Sequence, residues 1–267
     1  MKQLSVDGVE IAYLDAGKGP AVIIGHCSSA SHKEWLPLIE TLKSEWRVLA
    51  PDLIGYGQSA PWPADQPFSV GADVDVVLAI AKKAKGKLHL VGHSYGAALL
   101  LEAARTLGAR VKSLTLVEPS LFHLLRGRPE WAEVETLARA VLGAVASGDD
   151  RAAAKSFMTY WLGRWRWWLS PERFKAAVEA TIPKVALEFA FVTDAPTTLQ
   201  DYATVTAPTL LIVGGSTGGP NRAIVDLLAT TMPNVQVTVV KGARHMSPFT
   251  HPAEINRLIV DHLALTR

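Results

Sequence analysis

The stretch LHLVGHSYG, residues 88–96, runs from a short apolar segment straight into a helical pattern that continues to Leu107. The apolar segment predicts a buried strand over Leu88–Gly92. Two glycines flank Ser94 and leave room for the close backbone approach of a sharp strand-to-helix turn. Such a turn lifts the serine side chain above the edge of a sheet, beside the positive end of a helix. The stretch therefore predicts a nucleophilic serine, against the alternative of a serine that only caps the helix.

The rest of the chain repeats this alternation of short apolar runs with helical patterns. Continuous apolar runs indicate strands buried on both faces, as in a parallel sheet covered by helices. Asp7-Gly8 lies between two β-type runs and predicts a hairpin over residues 1–15. We therefore predict an α/β fold, with a mostly parallel, twisted sheet and helices on both of its faces. The predicted strands after the hairpin are Ala21–Gly25, Arg47–Pro51, Leu88–Gly92, Val111–Val117, Thr209–Val213 and Val235–Val240.

Residues 120–198 interrupt the alternation, because they show helical patterns and no convincing strand. The segment lies between two predicted strands of the sheet. Ligands of open α/β folds bind at the carboxyl edge of the strands, and an insertion there would cover that edge. We predict a core domain of residues 1–119 and 199–267, with residues 120–198 forming a helical lid.

Three further segments accompany the serine motif in a fixed order along the chain. They are Gly25-His26-Cys27-Ser28, Pro51-Asp52-Leu53-Ile54-Gly55-Tyr56-Gly57-Gln58-Ser59 and Gly242-Ala243-Arg244-His245-Met246. With the serine motif, they make the chain resemble the α/β-hydrolase fold superfamily over nearly its whole length. The resemblance implies the α/β-hydrolase fold and a serine hydrolase that cleaves a carboxylic ester or similar acyl bond through an acyl-enzyme. It implies no cofactor.

The resemblance also implies partners for Ser94. His245 is the expected general base, because it follows the last strand and so shares a sheet edge with the serine. Tyr95 and Ser28 are the expected backbone donors of an oxyanion hole, although Cys27 stands where the family has glycine. His26 and Cys27 are further candidates for contact with substrate. Cys27 as the nucleophile is the less favoured alternative, since a lone cysteine after a buried strand is usually an apolar filler.

The acid of the predicted triad is harder to place. The family has an aspartate shortly after the strand that ends near Val213, but residues 214–220 contain no carboxylate. Glu118 ends the strand before the lid, and the resemblance implies that a carboxylate there can reach the same histidine. We therefore predict a Ser94-His245-Glu118 triad. Asp194, or no acid at all, remains the alternative, and Asp226 falls on an outer helix.

Tryptophans are concentrated in the lid segment. Trp161, Trp165 and Trp168 are spaced i, i+4, i+7 and would share one face of a helix. Such a stripe is more often a packing surface than a ligand site. Trp161 and Trp165 are nevertheless the candidates for an apolar substrate pocket.

Composition bounds the remaining possibilities. The chain has 267 residues, 49% of them hydrophobic, a net charge of +2 and one cysteine. The net charge is small and the sequence has no runs of Lys or Arg, which argues against a nucleic-acid or membrane partner. The sequence also has no phosphate-binding loop motif and no spacing typical of metal ligands. We expect no signal peptide, no membrane span and no disulfide, hence a cytoplasmic protein of unknown oligomeric state.

The expected partner is a small apolar ester or acyl compound. A lactonase, a C–C bond hydrolase, an acyltransferase, or a cofactor-free lyase or oxygenase could use the same site. A non-catalytic ligand-binding protein is the alternative outside enzymes.

Overall fold

An eight-stranded sheet forms the centre of the computed structural model, which describes residues 1–63, 65–69 and 71–267. The strands are β1 Lys2–Val6, β2 Val9–Ala16, β3 Ala21–Gly25, β4 Arg47–Pro51, β5 Leu88–His93, β6 Val111–Val117, β7 Thr209–Gly214 and β8 Val235–Val240. They lie in the order β1-β2-β4-β3-β5-β6-β7-β8. Only β2 runs antiparallel to its neighbours, and all other pairs are parallel. The predicted strands and the mostly parallel α/β sheet are confirmed.

The register brings three chain segments to one edge of the sheet. Gly25 at the end of β3 pairs with Gly92 in β5. His93 at the end of β5 pairs with Val117 at the end of β6. The residues that follow these three strands, 26–28, 94 and 118, therefore emerge side by side at the carboxyl edge.

Helices cover both faces of the sheet. They are α1 Leu36–Leu42, α2 Ala72–Ala81, α3 Ser94–Leu107, α4 Trp131–Ala146, α5 Asp150–Leu162, α6 Arg164–Leu169, α7 Glu172–Asp194, α8 Leu199–Tyr202, α9 Gly219–Thr231, α10 Ser247–Thr250 and α11 Pro252–Leu265. Short 3₁₀ turns occupy His32–Trp35, Gly108–Arg110 and Phe122–Leu125.

Alternate strand residues serve two separate cores. In β3, Ile23 packs on the face covered by α2 and α3, whereas Val22 and Ile24 pack on the face covered by α1 and α11. Covering both faces explains why the central strands β3 and β7 are buried along their whole length, without polar alternation. No helix in the described ranges is long and apolar enough to cross a membrane.

The segment predicted as a lid is helical. Residues 120–198, all within the described part of the chain, contain α4 to α7 and no strand. Helices α4, α5 and α7 pack on one another, and Phe191 of α7 meets the Tyr95 ring edge to face at 5.8 Å. The insertion therefore packs over the site edge of the sheet. Its division from the core as a separate domain stays a prediction.

Candidate active site

The turn between β5 and α3 holds Ser94 in a strained conformation. Its φ is +54°, in the left-handed region that a serine rarely adopts. A Cβ at position 96 would lie 2.4 Å from the His26 carbonyl oxygen, and one at position 92 would lie 2.7 Å from the Ala97 Cα. Both positions therefore require glycine, as the sharp turn predicted.

Ser94, His245 and Glu118 form a continuous line of hydrogen bonds. The Ser94 Oγ lies 3.0 Å from the His245 Nε2. The His245 Nδ1 lies 2.9 Å from the Glu118 Oε2. All three residues are buried. With a proton on Nδ1, the carboxylate fixes the imidazole so that Nε2 presents a lone pair to the serine hydroxyl.

Glu118 is held by the loop in which the family's usual acid is missing. Its Oε1 accepts hydrogen bonds from the Gly214 N–H at 2.8 Å and from the Thr217 hydroxyl at 2.6 Å. Its φ is +44°, which turns the side chain from the end of β6 toward His245. The loop after β7 thus donates to a carboxylate supplied by β6, instead of carrying one.

The other candidate carboxylates lie away from His245. Asp194 pairs with Arg126, and its side chain is 58% exposed. Asp226 pairs with Arg222 within α9 and is 57% exposed. Neither therefore takes the position that Glu118 occupies.

Burial and hydrogen bonding set the protonation states of His245 and Glu118. Burial lowers the pKa of His245 below its ordinary value of 6.5, and the opposing hydrogen bond from Glu118 does not cancel this. Burial alone would raise the pKa of Glu118, but the contacts from His245, Thr217 and Gly214 outweigh it and the pKa is lowered. The site therefore holds a neutral imidazole beside an ionised carboxylate near neutral pH.

Two backbone N–H groups near Ser94 are open to an anion. Tyr95 is the second residue of α3, so its N–H has no acceptor within the helix. The N–H of Cys27 is occupied by the Glu34 Oε2 at 2.8 Å. The N–H of Ser28 has no acceptor among the residues that the structure describes. The N–H groups of the two predicted donors are thus unoccupied within the described part of the chain, and their role at an oxyanion stays a prediction.

A cavity of about 380 Å³ opens above Ser94, with mostly apolar walls. Its lining includes Cys27, Phe157, Trp161, His245 and Phe249. The Trp161 ring stacks on the His245 imidazole, with a centroid separation of 3.8 Å and an interplanar angle of 26°. A second chamber of about 20 Å³ is also lined by Ser94. Cys27 and Trp161, two of the predicted substrate contacts, therefore line the cavity.

Trp165 and His26 lie outside the lining of this cavity, so its geometry does not support the prediction of these two residues as substrate contacts. Gly163, with a φ of +86°, ends α5 and starts α6 in a new direction. The tryptophan spacing consequently does not continue across it, and Trp165 is 77% exposed. His26 is fully buried, and its ring bonds the Cys27 carbonyl and the Leu53 N–H.

Three site residues were not predicted from the sequence. The Ser120 Oγ lies 3.1 Å from the Ser94 Oγ. The His93 Nδ1 lies 2.6 Å from the Glu34 Oε1, while the His93 Nε2 contacts the His245 carbonyl at 2.9 Å. His93 thus faces away from the Ser94 hydroxyl and anchors the backbone of His245. Glu34 belongs to no recognisable local motif, and its contact with His93 is 59 residues away along the chain, so no local sequence signal predicts it.

Comparison with known proteins places this chain in a family. A model of the "Alpha/beta hydrolase family" matches residues 10–258. The chain is 24% identical over 256 residues to the pimeloyl-[acyl-carrier protein] methyl ester esterase of Aeromonas hydrophila, in an alignment covering 91% of this chain and 95% of that one.

Solved structures share the fold at low identity. A thermophilic esterase from Thermogutta terrifontis is 23% identical, with a TM-score of 0.79 and coverage of 100% of this chain and 99% of that one. The enol-lactonase from Burkholderia xenovorans LB400 is 18% identical, with a TM-score of 0.80 and coverage of 98% and 100%. The match across residues 10–258 shows that this chain belongs to the alpha/beta hydrolase family and is a hydrolase enzyme.

Proposed function

We propose that the protein is a serine hydrolase that cleaves small, apolar carboxylic esters through an acyl-enzyme on Ser94. The observation that carries the proposal is the hydrogen-bonded line from Glu118 through His245 to Ser94 below a mostly apolar cavity. A serine hydroxyl is a weak nucleophile by itself, and a neutral imidazole in hydrogen-bond contact supplies the base that it needs. Esterase relatives support the same chemistry.

The reaction follows from these positions. His245 accepts the Ser94 proton on Nε2 as Oγ bonds to the carbonyl carbon, and the carbonyl π electrons move to oxygen. The N–H groups of Tyr95 and Ser28 stabilise that oxyanion. The C–O bond to the alcohol then breaks, and the leaving oxygen takes the proton from His245. Water repeats the sequence, with His245 as base, and releases the acid and free Ser94.

Other reactions use the same atoms. An internal ester would make the enzyme a lactonase, and the fold of an enol-lactonase is similar. A diketone would make it a C–C bond hydrolase, and an acceptor other than water would make it an acyltransferase. A ligand-binding protein without turnover is the candidate of another class. The helical insertion serves in each case as a lid over the cavity.

A panel of p-nitrophenyl esters with acyl chains of increasing length tests the proposal. We expect turnover, together with a fluorophosphonate adduct that peptide mass spectrometry locates on Ser94. A wild-type protein that neither turns over the panel nor reacts with the fluorophosphonate would overturn the hydrolase assignment in favour of ligand binding.

The value of kcat/KM should rise with increasing pH, and the midpoint of this rise should lie below pH 6.5. His245 must be neutral to accept the proton of Ser94, so activity is lost as pH falls through the pKa of the imidazole. Burial lowers that pKa below 6.5, which moves the acidic limb of the profile downward. Initial rates from about pH 4.5 to 8 measure the midpoint. A midpoint above pH 7 would contradict a buried, neutral base.

Replacing Trp161 should affect activity far more than replacing Trp165. Trp161→Ala removes the ring that stacks on His245 and lines the cavity, so we expect kcat/KM to fall about ten- to a hundredfold. Trp165→Ala is the matched control, since that ring is exposed outside the cavity, and should stay within about twofold. Equal losses in the two variants would contradict the assignment of the cavity as the substrate site.

A further inference from the structure

A buried cation lies between α7 of the insertion and the core. The Lys184 Nζ contacts the Asp73 Oδ2 at 2.8 Å and the Glu188 Oε1 at 2.9 Å. The three side chains are 8% exposed or less. The ammonium also lies 5.2 Å from the ring centroids of Tyr56, Phe68 and Tyr95. We call Lys184, Asp73 and Glu188 the buried charge cluster.

Residues of the core complete the hydrogen bonding of this cluster. Tyr95 donates its hydroxyl to the Asp73 Oδ2 at 2.8 Å. Tyr56 donates its hydroxyl to the Glu188 Oε1 at 2.6 Å. Ser28 donates its hydroxyl to the Glu188 Oε2 at 2.5 Å. Each carboxylate therefore receives the lysine and at least one core hydroxyl.

Two of these hydroxyls belong to the residues whose backbone N–H groups face the proposed oxyanion. Ser28 is held by Glu188 and Tyr95 is held by Asp73, and Lys184 joins the two carboxylates. The cluster thus binds the side chains of both donors while leaving their N–H groups open. Glu188 also lines the small chamber beside Ser94.

One face of α7 fixes the loop that carries Ser28. Thr181, Lys184 and Glu188 are spaced i, i+3, i+7 and so point to the same side of the helix. Thr181 donates its hydroxyl to the Ser29 Oγ at 3.0 Å. Ser29 has a φ of +56°, so the loop is held in a conformation that it would not keep unaided.

Stability alone is a weak reason for such a cluster. A buried ion pair is often no more stabilising than well-packed apolar side chains of the same volume, because desolvation opposes the attraction. Oxyanion stabilisation, in contrast, depends on donors fixed in position before the reaction. A cluster that clamps both donor residues meets that requirement.

We propose that Lys184 and Glu188 are positioning residues for the oxyanion hole, and that the hole is complete only when α7 is seated on the core. The inference rests on the proposed function. It makes α7 a wall of the catalytic site as well as a cover, and it assigns the Ser28 hydroxyl a task separate from that of the Ser28 N–H.

A double-mutant cycle on Ser28 and Glu188 tests the proposal. Ser28→Ala keeps the backbone N–H but loses the hydroxyl that Glu188 holds, and Glu188→Gln keeps the shape but loses the charge. We expect each to lower kcat about tenfold or more, with KM within about threefold. The double variant should be no worse than the poorer single variant. Ser28→Thr should restore most of kcat.

A transition-state analogue separates positioning from general damage. An alkyl trifluoromethyl ketone adds the Ser94 Oγ to its carbonyl carbon and carries an oxyanion, while the proton passes to His245. Its affinity should fall by the same factor as kcat in Ser28→Ala. Thr193→Val on α7 is the control and should keep wild-type kinetics, since among the described residues the Thr193 hydroxyl bonds only local α7 oxygens.

The possible outcomes are distinct. An active wild type with kcat within twofold in Ser28→Ala overturns the positioning role alone. The positioning role is also overturned if the losses of kcat in the two single variants multiply in the double variant, or if KM rises while kcat stays constant. A wild type without turnover or labelling overturns the proposed function and this inference together. If Glu188→Gln fails to fold, the comparison of Ser28→Ala with Ser28→Thr still tests the positioning role.

Discussion

Replacement of Ser94 by alanine should lower kcat by about four to six orders of magnitude without disturbing the fold. The change removes the oxygen that we propose as the nucleophile and leaves its two contacts, the His245 Nε2 and the Ser120 Oγ, in place. Steady-state rates on the best ester of the panel, paired with circular dichroism, would measure the loss. The fluorophosphonate adduct should disappear in the same variant.

Two matched variants identify the nucleophile. Ser120→Ala removes a hydroxyl 3.1 Å from the Ser94 Oγ, and Cys27→Ala removes the thiol in the cavity wall. Both should still form the adduct on Ser94. Burial raises the pKa of Cys27 well above that of an ordinary thiol, so the reactive thiolate is absent near neutral pH. An adduct on Cys27, or activity retained in Ser94→Ala, would refute the serine mechanism.

Replacement of Glu118 by glutamine should lower kcat by about two to four orders of magnitude. The carboxylate accepts from three donors, the His245 Nδ1–H, the Gly214 N–H and the Thr217 hydroxyl. A glutamine must turn its NH₂ toward one side. Facing His245, it forces the proton onto Nε2 and abolishes the base. Facing Gly214, it opposes two donors and leaves buried groups unpaired.

Thr217→Val is the control for Glu118. It removes one of the three hydrogen bonds but leaves the carboxylate, so kcat should fall about tenfold or less. Initial rates in both variants, with thermal melting to check folding, measure the difference. A Glu118→Gln enzyme with near wild-type kcat would show that the acid is dispensable or supplied by another residue.

The sheet could be predicted closely because its signal is local. A strand buried on both faces is mostly apolar, and the predicted runs at β3, β4 and β7 are buried strands in the structure. The position of His245 followed from the same logic, since parallel strands end at one edge. Glu118 could be proposed because it ends β6. The contact between Glu118 and His245 depends on the left-handed backbone conformation of Glu118, which its residue type does not predict.

The insertion was less predictable because its residues meet partners far along the chain. The tryptophan spacing assumed one continuous helix, and a single residue, Gly163, ended it. Lys184 and Glu188 contact residues more than 100 positions earlier, and helical spacing alone does not tell such residues from a solvated face. Pairs of this kind arise from tertiary packing, to which a single sequence gives no direct access.

The left-handed backbone at Ser94 and Glu118 has an evolutionary consequence. Each non-glycine residue held there costs about 1–3 kcal/mol, against a net folding stability that is typically only about 5–15 kcal/mol. A lineage released from selection for turnover could therefore gain thermal stability by replacing Ser94 with glycine, which adopts this conformation freely, whereas loss of Glu118 would leave three buried donors unpaired. Persistence of Ser94 in descendants of this chain would be a sign of continued selection for chemistry, because selection for folding alone does not favour a serine in this conformation.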